Sequence, residues 1–167
     1  KSFNVSVDEV SLENFKEKDI LLTDPPWSFM DKDPYRGPAI KYDTLTTKVI
    51  LEQLDKMKTN VSAIYVVNFS FIDILEWLEK NEYCIWTIID VVHLNKSGKL
   101  RKSVGHYLQH SKDSLIIALK KDSDVKITNQ VVDVVISQEN EQSAKDNLIN
   151  LMLKVLFEEN KSEFYEN

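Results

Sequence analysis

Short apolar runs that alternate with amphipathic stretches predict an α/β domain, with helices flanking a mostly parallel sheet. Three observations carry this reading. Five runs rich in branched or aromatic residues stop at turn residues, as buried strands do. Three longer stretches repeat apolar residues every three or four positions, the period of a helix packed on one face. The chain has 167 residues, enough for one core, so residues 1–167 read as a single domain.

The elements follow in order. Asp19-Ile20-Leu21-Leu22-Thr23 is short and apolar and stops at Asp24-Pro25-Pro26. Proline has no N–H to donate to a ladder, so a strand ends there. Residues 28–41 hold Pro34, Gly37 and Pro38 and read as a loop. Thr46–Lys58 sets Val49, Ile50, Leu54 and Met57 at helical spacing, with Thr46 as the cap. Val61–Phe69 is a second buried strand. Phe71–Asn81 is a helix with Ile72, Leu75 and Leu78 on one face. Tyr83–Val92 is a third strand, residues 93–112 a polar, basic loop, and Ser114–Lys120 and Val131–Ile136 two more strands. Asp146–Phe157 is an amphipathic helix carrying Leu148, Leu151, Met152, Val155 and Leu156. Phe164-Tyr165 is compatible with the start of a final strand.

Composition excludes several classes. Hydrophobic residues make up 43% and charged residues 29%, an ordinary globular balance. With 27 acidic and 21 basic residues the net charge is -6, which argues against a general nucleic-acid coat protein. Cys84 is the single cysteine; it cannot build a disulfide framework or a cysteine-based zinc site, and it fits a reducing compartment. Apolar runs such as Ile85–Ile89 are too short to span a bilayer, so no membrane partner is expected. The chain starts without Met and shows no signal-peptide pattern. Its three glycines, Gly37, Gly98 and Gly105, form no G-x-G turn. A glycine cradle for a dinucleotide or phosphate is therefore not expected, and a nucleoside cofactor would be held by other means.

Asp24-Pro25-Pro26-Trp27 is the segment that carries chemistry. It follows a buried strand, and ligands of α/β sheets sit beyond the carboxyl ends of strands. An exocyclic adenine amine is a poor nucleophile because its lone pair is delocalised into the ring. A carboxylate and a fixed backbone carbonyl can accept its two hydrogens, which favours the tetrahedral nitrogen and frees the lone pair for a methyl group. Two prolines rigidify the carbonyls. An aromatic after them can stack on the base, worth about 1–3 kcal/mol. The plainer reading of Asp-Pro-Pro is a turn that ends a strand.

With these residues the chain resembles the DPPW adenine-N6 methyltransferases, the MT-A family that includes mRNA and DNA adenine methylases. Three blocks carry the resemblance. The first is Leu22-Thr23-Asp24-Pro25-Pro26-Trp27. The second, Pro34-Tyr35-Arg36-Gly37-Pro38-Ala39-Ile40-Lys41-Tyr42-Asp43-Thr44-Leu45, is similar to the family's substrate loop and its Tyr-Gly-Thr-Met-type segment. The third, Gly105-His106-Tyr107-Leu108-Gln109-His110-Ser111-Lys112-Asp113-Ser114-Leu115, is similar to the family's Gly-His-Trp-Leu-Asn-His-Gly-Lys-Glu-His-Cys-Leu. Ser137–Lys145 also matches. The version of the second block is most similar to the ciliate-type DNA-methylating branch, whose enzymes are heteromers of one catalytic and one non-catalytic subunit. The resemblance implies a Rossmann-like class I methyltransferase sheet, S-adenosylmethionine (SAM) as the cofactor of the complex, a nuclear location, and nucleic acid as substrate, DNA before RNA.

Departures from the family pattern bear on which subunit this is. Ser6 stands where an Asp contacts the cofactor's adenine. Asp90-Val91-Val92 replaces Trp-Val-Lys, Val67 replaces a Trp, and Glu139-Asn140 replaces an Arg-rich pair. Only Phe164-Tyr165-Glu166-Asn167 remains of the ribose-holding segment, so the C-terminal part reads as truncated or degenerate. Lys145 is the one late cofactor position kept. Each lost partner of a buried polar group costs about 1–3 kcal/mol. The losses favour a non-catalytic subunit that does not bind SAM itself and that activates a catalytic paralogue. The alternative is that the chain is the catalyst, with Asp24, Pro25, Pro26 and Trp27 as its site.

The loop from His93 to Lys112 carries Lys96, Lys99, Arg101, Lys102 and Lys112 and no acidic residue. Such a loop suits phosphate contacts or simple solvation. Apolar Leu94, Leu100, Tyr107 and Leu108 beside Arg101, His106 and His110 also have the composition of an interface. The resemblance implies that it meets the catalytic paralogue. His93, His106 and His110 lack the spacing of a metal site, and none is expected. Trp77 and Trp86 read as core residues.

Overall fold

The computed structural model describes residues 20–28, 44–57, 59–102, 110–125 and 132–138. These hold β1 (Ile20–Thr23), α1 (Thr47–Leu54), β2 (Val61–Val66), α2 (Phe71–Lys80), β3 (Tyr83–Leu94), β4 (Lys112–Lys120) and β5 (Val134–Gln138). The strands form one sheet in the order β1-β2-β4-β3-β5. The expected α/β class is observed, a five-stranded sheet with helices. The expected helix 146–157 and a strand at Phe164 lie outside the described residues.

The sheet is mostly parallel, as expected, with one reversed strand. β1 pairs β2 in parallel, Ile20 beside Val61 through Thr23 beside Ile64, and β3 pairs β5 in parallel. β4 runs the other way. His93 N donates to Ser111 O at 2.8 Å, and Lys121 N to Glu82 O at 2.9 Å, so the end of each strand lies beside the start of the other. Lys120 N donates to Asn60 O at 2.9 Å, which sets the end of β4 beside the start of β2. β1 and β2 are joined through a helix, which permits a parallel return. No helix stands between β3 and β4 among the described residues of their connection.

The chain forms two compact units, Lys1–Thr87 with Ile116–Ser123, and Ile88–Leu115 with Asp124–Asn167. The first unit holds β1, α1, β2 and α2. All six residues of β2 are buried. Both of its faces are covered, which is why its sequence does not alternate. Thr46 caps α1 as expected, its Oγ1 accepting from Val49 N at 3.4 Å. Ile50 and Leu54 bury the helix's apolar face. The helix ends four residues earlier than its pattern suggests. Asp55 faces α2 instead, where Trp77 Nε1 donates to Asp55 Oδ1 at 2.7 Å and Asn81 Nδ2 at 3.3 Å. Met57 then folds back to the core, its N donating to Leu54 O.

The buried face of α2 is Ile74, Trp77 and Leu78. Ile72, expected there, is 67% exposed, because its 100° steps carry it to the far side of that trio. β2 stops at Val66 and not Phe69, since Ser70 N and Oγ both donate to Val67 O and start the helix. Trp77 is core, stacked on Tyr83 at 5.7 Å; Trp86 is half-buried.

The second unit holds the end of β3, the start of β4, and β5. Ile89, Val91, Leu115 and Val135 are buried on one side of these strands. β3 runs to Leu94, two residues beyond its expected end, because the start of the loop folds back on it. Asn95 N donates to Lys99 O, and Arg101 N to His93 O, both at 2.8 Å, while Leu94 and Leu100 form an antiparallel bridge.

Candidate functional site

β1 delivers Asp24 to the carboxyl end of the strand, where it is exposed. The next residues form a tight turn. Trp27 N donates to Pro25 O at 2.9 Å, a three-residue turn set up by the fixed φ of the prolines. The turn is then clamped from outside. Leu45 N donates to Pro26 O at 2.8 Å and Ser28 N donates to Leu45 O at 2.9 Å, a parallel bridge between Trp27 and Leu45. Leu45 immediately precedes the cap of α1, so the start of that helix and the Asp-Pro-Pro-Trp turn are fastened together. Of the three sequence blocks, the structure therefore joins the first to the end of the second. Residues 34–43 lie outside the described residues.

Trp27 is 4% exposed, and its Nε1 donates to Tyr65 O in β2 at 3.1 Å. It packs in the cluster with Leu21, Ile50, Leu54, Ile64 and Val66. Its rings are part of the core wall, while the carboxylate two prolines earlier meets solvent. The carbonyls of Pro25 and Pro26 each accept a backbone hydrogen bond, from Trp27 N and Leu45 N. Chemically, the turn offers a carboxylate and a rigid carbonyl, which are acceptors for an amine.

The positions that the resemblance gives to the cofactor, Ser6, Lys145 and residues 164–167, lie outside the described residues, as does Glu139-Asn140. Gly98 is the one described glycine. It has φ 76° and turns the hairpin at the end of β3, where a Cβ would meet open space. No three metal-ligating side chains come together among the described residues.

The basic residues lie on that hairpin. The Asn95 side chain accepts from Ser97 N, Ser97 Oγ and Lys99 N at 3.0, 2.7 and 3.1 Å and holds the turn. Lys96, Lys99, Arg101 and Lys102 are exposed, as is His110. His106, Tyr107 and Leu108 lie outside the described residues. His93, at the hairpin's base, bonds Asp113 through Nε2 at 2.8 Å.

Asp90, where the family has Trp, has partners of its own on β4. Lys112 Nζ donates to Asp90 Oδ2 at 2.6 Å and Ser114 Oγ to Asp90 Oδ1 at 2.6 Å. Burial alone pushes the carboxyl up. The hydrogen bonds from Lys112 and Ser114, with the Lys112 charge, more than offset this and hold Asp90 below the usual 3.8. Sequence reasoning treated Asp90 as a loss and missed this cross-strand group. Its signal was Lys112 and Ser114 two apart, on one face of a strand. The other departure within the described residues, Val67, is partly buried against the core.

Comparison with known proteins places the geometry. The MT-A70 family model matches residues 18–164. The fold is similar to the crystal structure of M1.HpyAVI, with a TM-score of 0.52 at 15% identity over 90% of this chain and 68% of that one. The crystal structure of the M1.HpyAVI–SAM complex matches with a TM-score of 0.51 at 15% identity, over 86% of this chain and 69% of that one. The likeness identifies a class I methyltransferase fold. No curated protein matches the chain.

Proposed function

This chain belongs to the MT-A70 family of SAM-dependent methyltransferases, and from that premise we propose that it is the non-catalytic subunit of an adenine-N6 methyltransferase heteromer. On this reading it activates a catalytic paralogue and shapes the groove for nucleic acid, DNA before RNA, in the nucleus. SAM belongs to the complex and is held by the paralogue.

The observation that carries this reading is the burial of Trp27. A base-stacking aromatic must present a face to the substrate. Trp27 instead closes the core and spends its one donor on Tyr65 O. The local completeness of Asp90, Lys112 and Ser114 supports it too, since the position has taken on a structural pairing. The basic hairpin supplies charge for phosphates on an otherwise acidic chain.

The second reading, that this chain is the catalyst, is favoured by Asp24. Its carboxylate is exposed at the strand end beside the carbonyl of Pro25. Calorimetric titration of the isolated chain with SAM separates the two, together with a methyl-transfer assay on adenine-containing DNA. The non-catalytic reading expects neither binding at cellular SAM concentration nor transfer. Micromolar binding with turnover overturns it in favour of the catalyst.

A further inference from the structure

We propose that His93 is the positioning residue of the basic hairpin. Through its bond to Asp113 it fixes the direction in which Lys96, Lys99, Arg101 and Lys102 are held out to nucleic-acid phosphates, and its protonation tightens that hold. This role rests on the reading of the hairpin as a phosphate contact.

The hairpin is stiff along its own length. Leu94 bridges Leu100, Asn95 N donates to Lys99 O at 2.8 Å, and the Asn95 side chain accepts from Ser97 and Lys99. Its direction is therefore set where it leaves the sheet, and that place is His93. His93 N donates to Ser111 O beside β4, and His93 O accepts from Arg101 N on the returning strand, both at 2.8 Å. The side chain adds a third tie. Its Nε2 lies 2.8 Å from Asp113 Oδ2 on β4, and the side chain is 15% exposed. A carboxylate only accepts, so Nε2 carries the hydrogen and donates. From His93 to Ser97 an extended strand covers about 13 Å. A tilt of about 10° at the base shifts the tip by about 2 Å, enough to break a contact of hydrogen-bond length.

Charge gives this tie a dependence on pH. Imidazole is the side chain that ordinarily changes its charge near neutral pH. On β4 the His93 ring meets Asp113, while the adjacent Lys112 donates to Asp90 on the other face. Across the hairpin Arg101 stands opposite His93, and on β5 the register sets uncharged Ser137 beside it. His110 precedes Ser111 and is exposed. A protonated His93 bonds the Asp113 carboxylate more strongly than a neutral one does. It also adds a positive charge at the base of a ribbon whose four cations are exposed. Acid should therefore tighten the grip on phosphates.

The test is fluorescence polarisation of a dye-labelled DNA duplex with the full chain at low salt. From about pH 8 to about pH 6 the wild-type chain should gain about tenfold in affinity. His93→Gln keeps a donor for Asp113 and cannot take a charge. It should match wild type at the higher pH and gain no more than about threefold in acid, the share left to His106 and His110. His93→Leu loses the bond and should bind about tenfold more weakly at both pH values. Should His93→Leu fail to fold, as read by circular dichroism, the pH response of His93→Gln still decides. A full pH response in His93→Gln, or wild-type affinity in a folded His93→Leu, overturns the role of His93. Glutamate at Lys96, Lys99, Arg101 and Lys102 together tests the underlying reading. Unchanged affinity there, or no binding by wild type, overturns the phosphate contact itself. Lost affinity there with no effect at His93 leaves the contact standing and removes only the latch.

Discussion

The indole nitrogen of Trp27 donates to the backbone carbonyl of Tyr65, 38 residues away, at 3.1 Å. This bond ties the turn after β1 to the carboxyl end of β2, and the Leu45 clamp ties the same turn to the start of α1. Trp27 is thus a strut of the first unit. Trp27→Phe keeps most of the apolar contact and loses the donor, so it should cost about 1–3 kcal/mol. Trp27→Ala leaves a cavity as well and should cost about 3–5 kcal/mol. Urea unfolding measures both. If Trp27→Phe leaves stability at the wild-type value, the strut assignment is wrong and the aromatic is held for another purpose.

Glu82 has φ 60° in the turn between α2 and β3, directly after the C-cap residue Asn81. That is the position where helices favour glycine, because a Cβ there crowds the following carbonyl. Lys121 N donates to the Glu82 carbonyl, so the backbone conformation is held from outside. Glu82→Gly should raise stability by up to about 1 kcal/mol. Glu82→Ala keeps the Cβ and should not. Equal melting points for Glu82→Gly and Glu82→Ala would show that the turn is unstrained.

Asp90 makes stability depend on pH in a known direction. Its carboxyl lies below the ordinary value in the folded state, so the unfolded chain binds the proton first. The contribution is therefore present above the unfolded value of about 4 and is lost as pH falls through the lower, folded value. Asp90→Asn should be less stable than wild type by about 1 kcal/mol at neutral pH, since it keeps the shape and loses the charge that Lys112 pairs. The difference should vanish in acid, below both values. A difference that stays constant from neutral pH into acid would remove the ionic explanation.

Much of the fold was legible because the signals are local. The Pro25-Pro26 stop ends β1 where it must, and Thr46 caps α1. The helix limits were not legible. α1 stops at Leu54 because of Trp77, which lies 22 residues on from Asp55, and Ile72 sits outside the core because Ile74 is the residue that packs. Such choices depend on which face meets a neighbour, and periodicity alone does not say. The antiparallel β4 was hidden for a similar reason, since a run such as Leu115-Ile116-Ile117 reads alike in either direction. At the candidate site, Asp24 at a strand end followed from the sequence alone. The burial of Trp27 did not, because an aromatic after Pro-Pro can face the core or the crevice, and only the acceptor on Tyr65 decides between them.

The proposed division of labour between Asp24 and the loop of residues 93–110 gives the last prediction. A non-catalytic subunit acts through its interface, so removing interface side chains should remove activity, and removing the relic of a site should not. On the proposed role, Tyr107 and Leu108 are the apolar residues of that loop expected from the sequence to anchor it, and a few such residues dominate the energy of an interface. Tyr107→Ala with Leu108→Ala should abolish association with the catalytic paralogue in size-exclusion chromatography, and adenine methylation with it. Asp24→Ala should leave both nearly intact, because the carboxylate is exposed and removing it opens no core cavity. Reversing Lys96, Lys99, Arg101 and Lys102 to glutamate should weaken DNA binding by the complex and flatten its salt dependence by up to one unit of slope for each lysine or arginine that meets a phosphate. The decisive case is Asp24→Ala in a complex that still forms. If methylation there falls by about a thousandfold, as loss of a group acting only in the transition state would cause, this chain is the catalyst and Trp27 merely holds its turn in place.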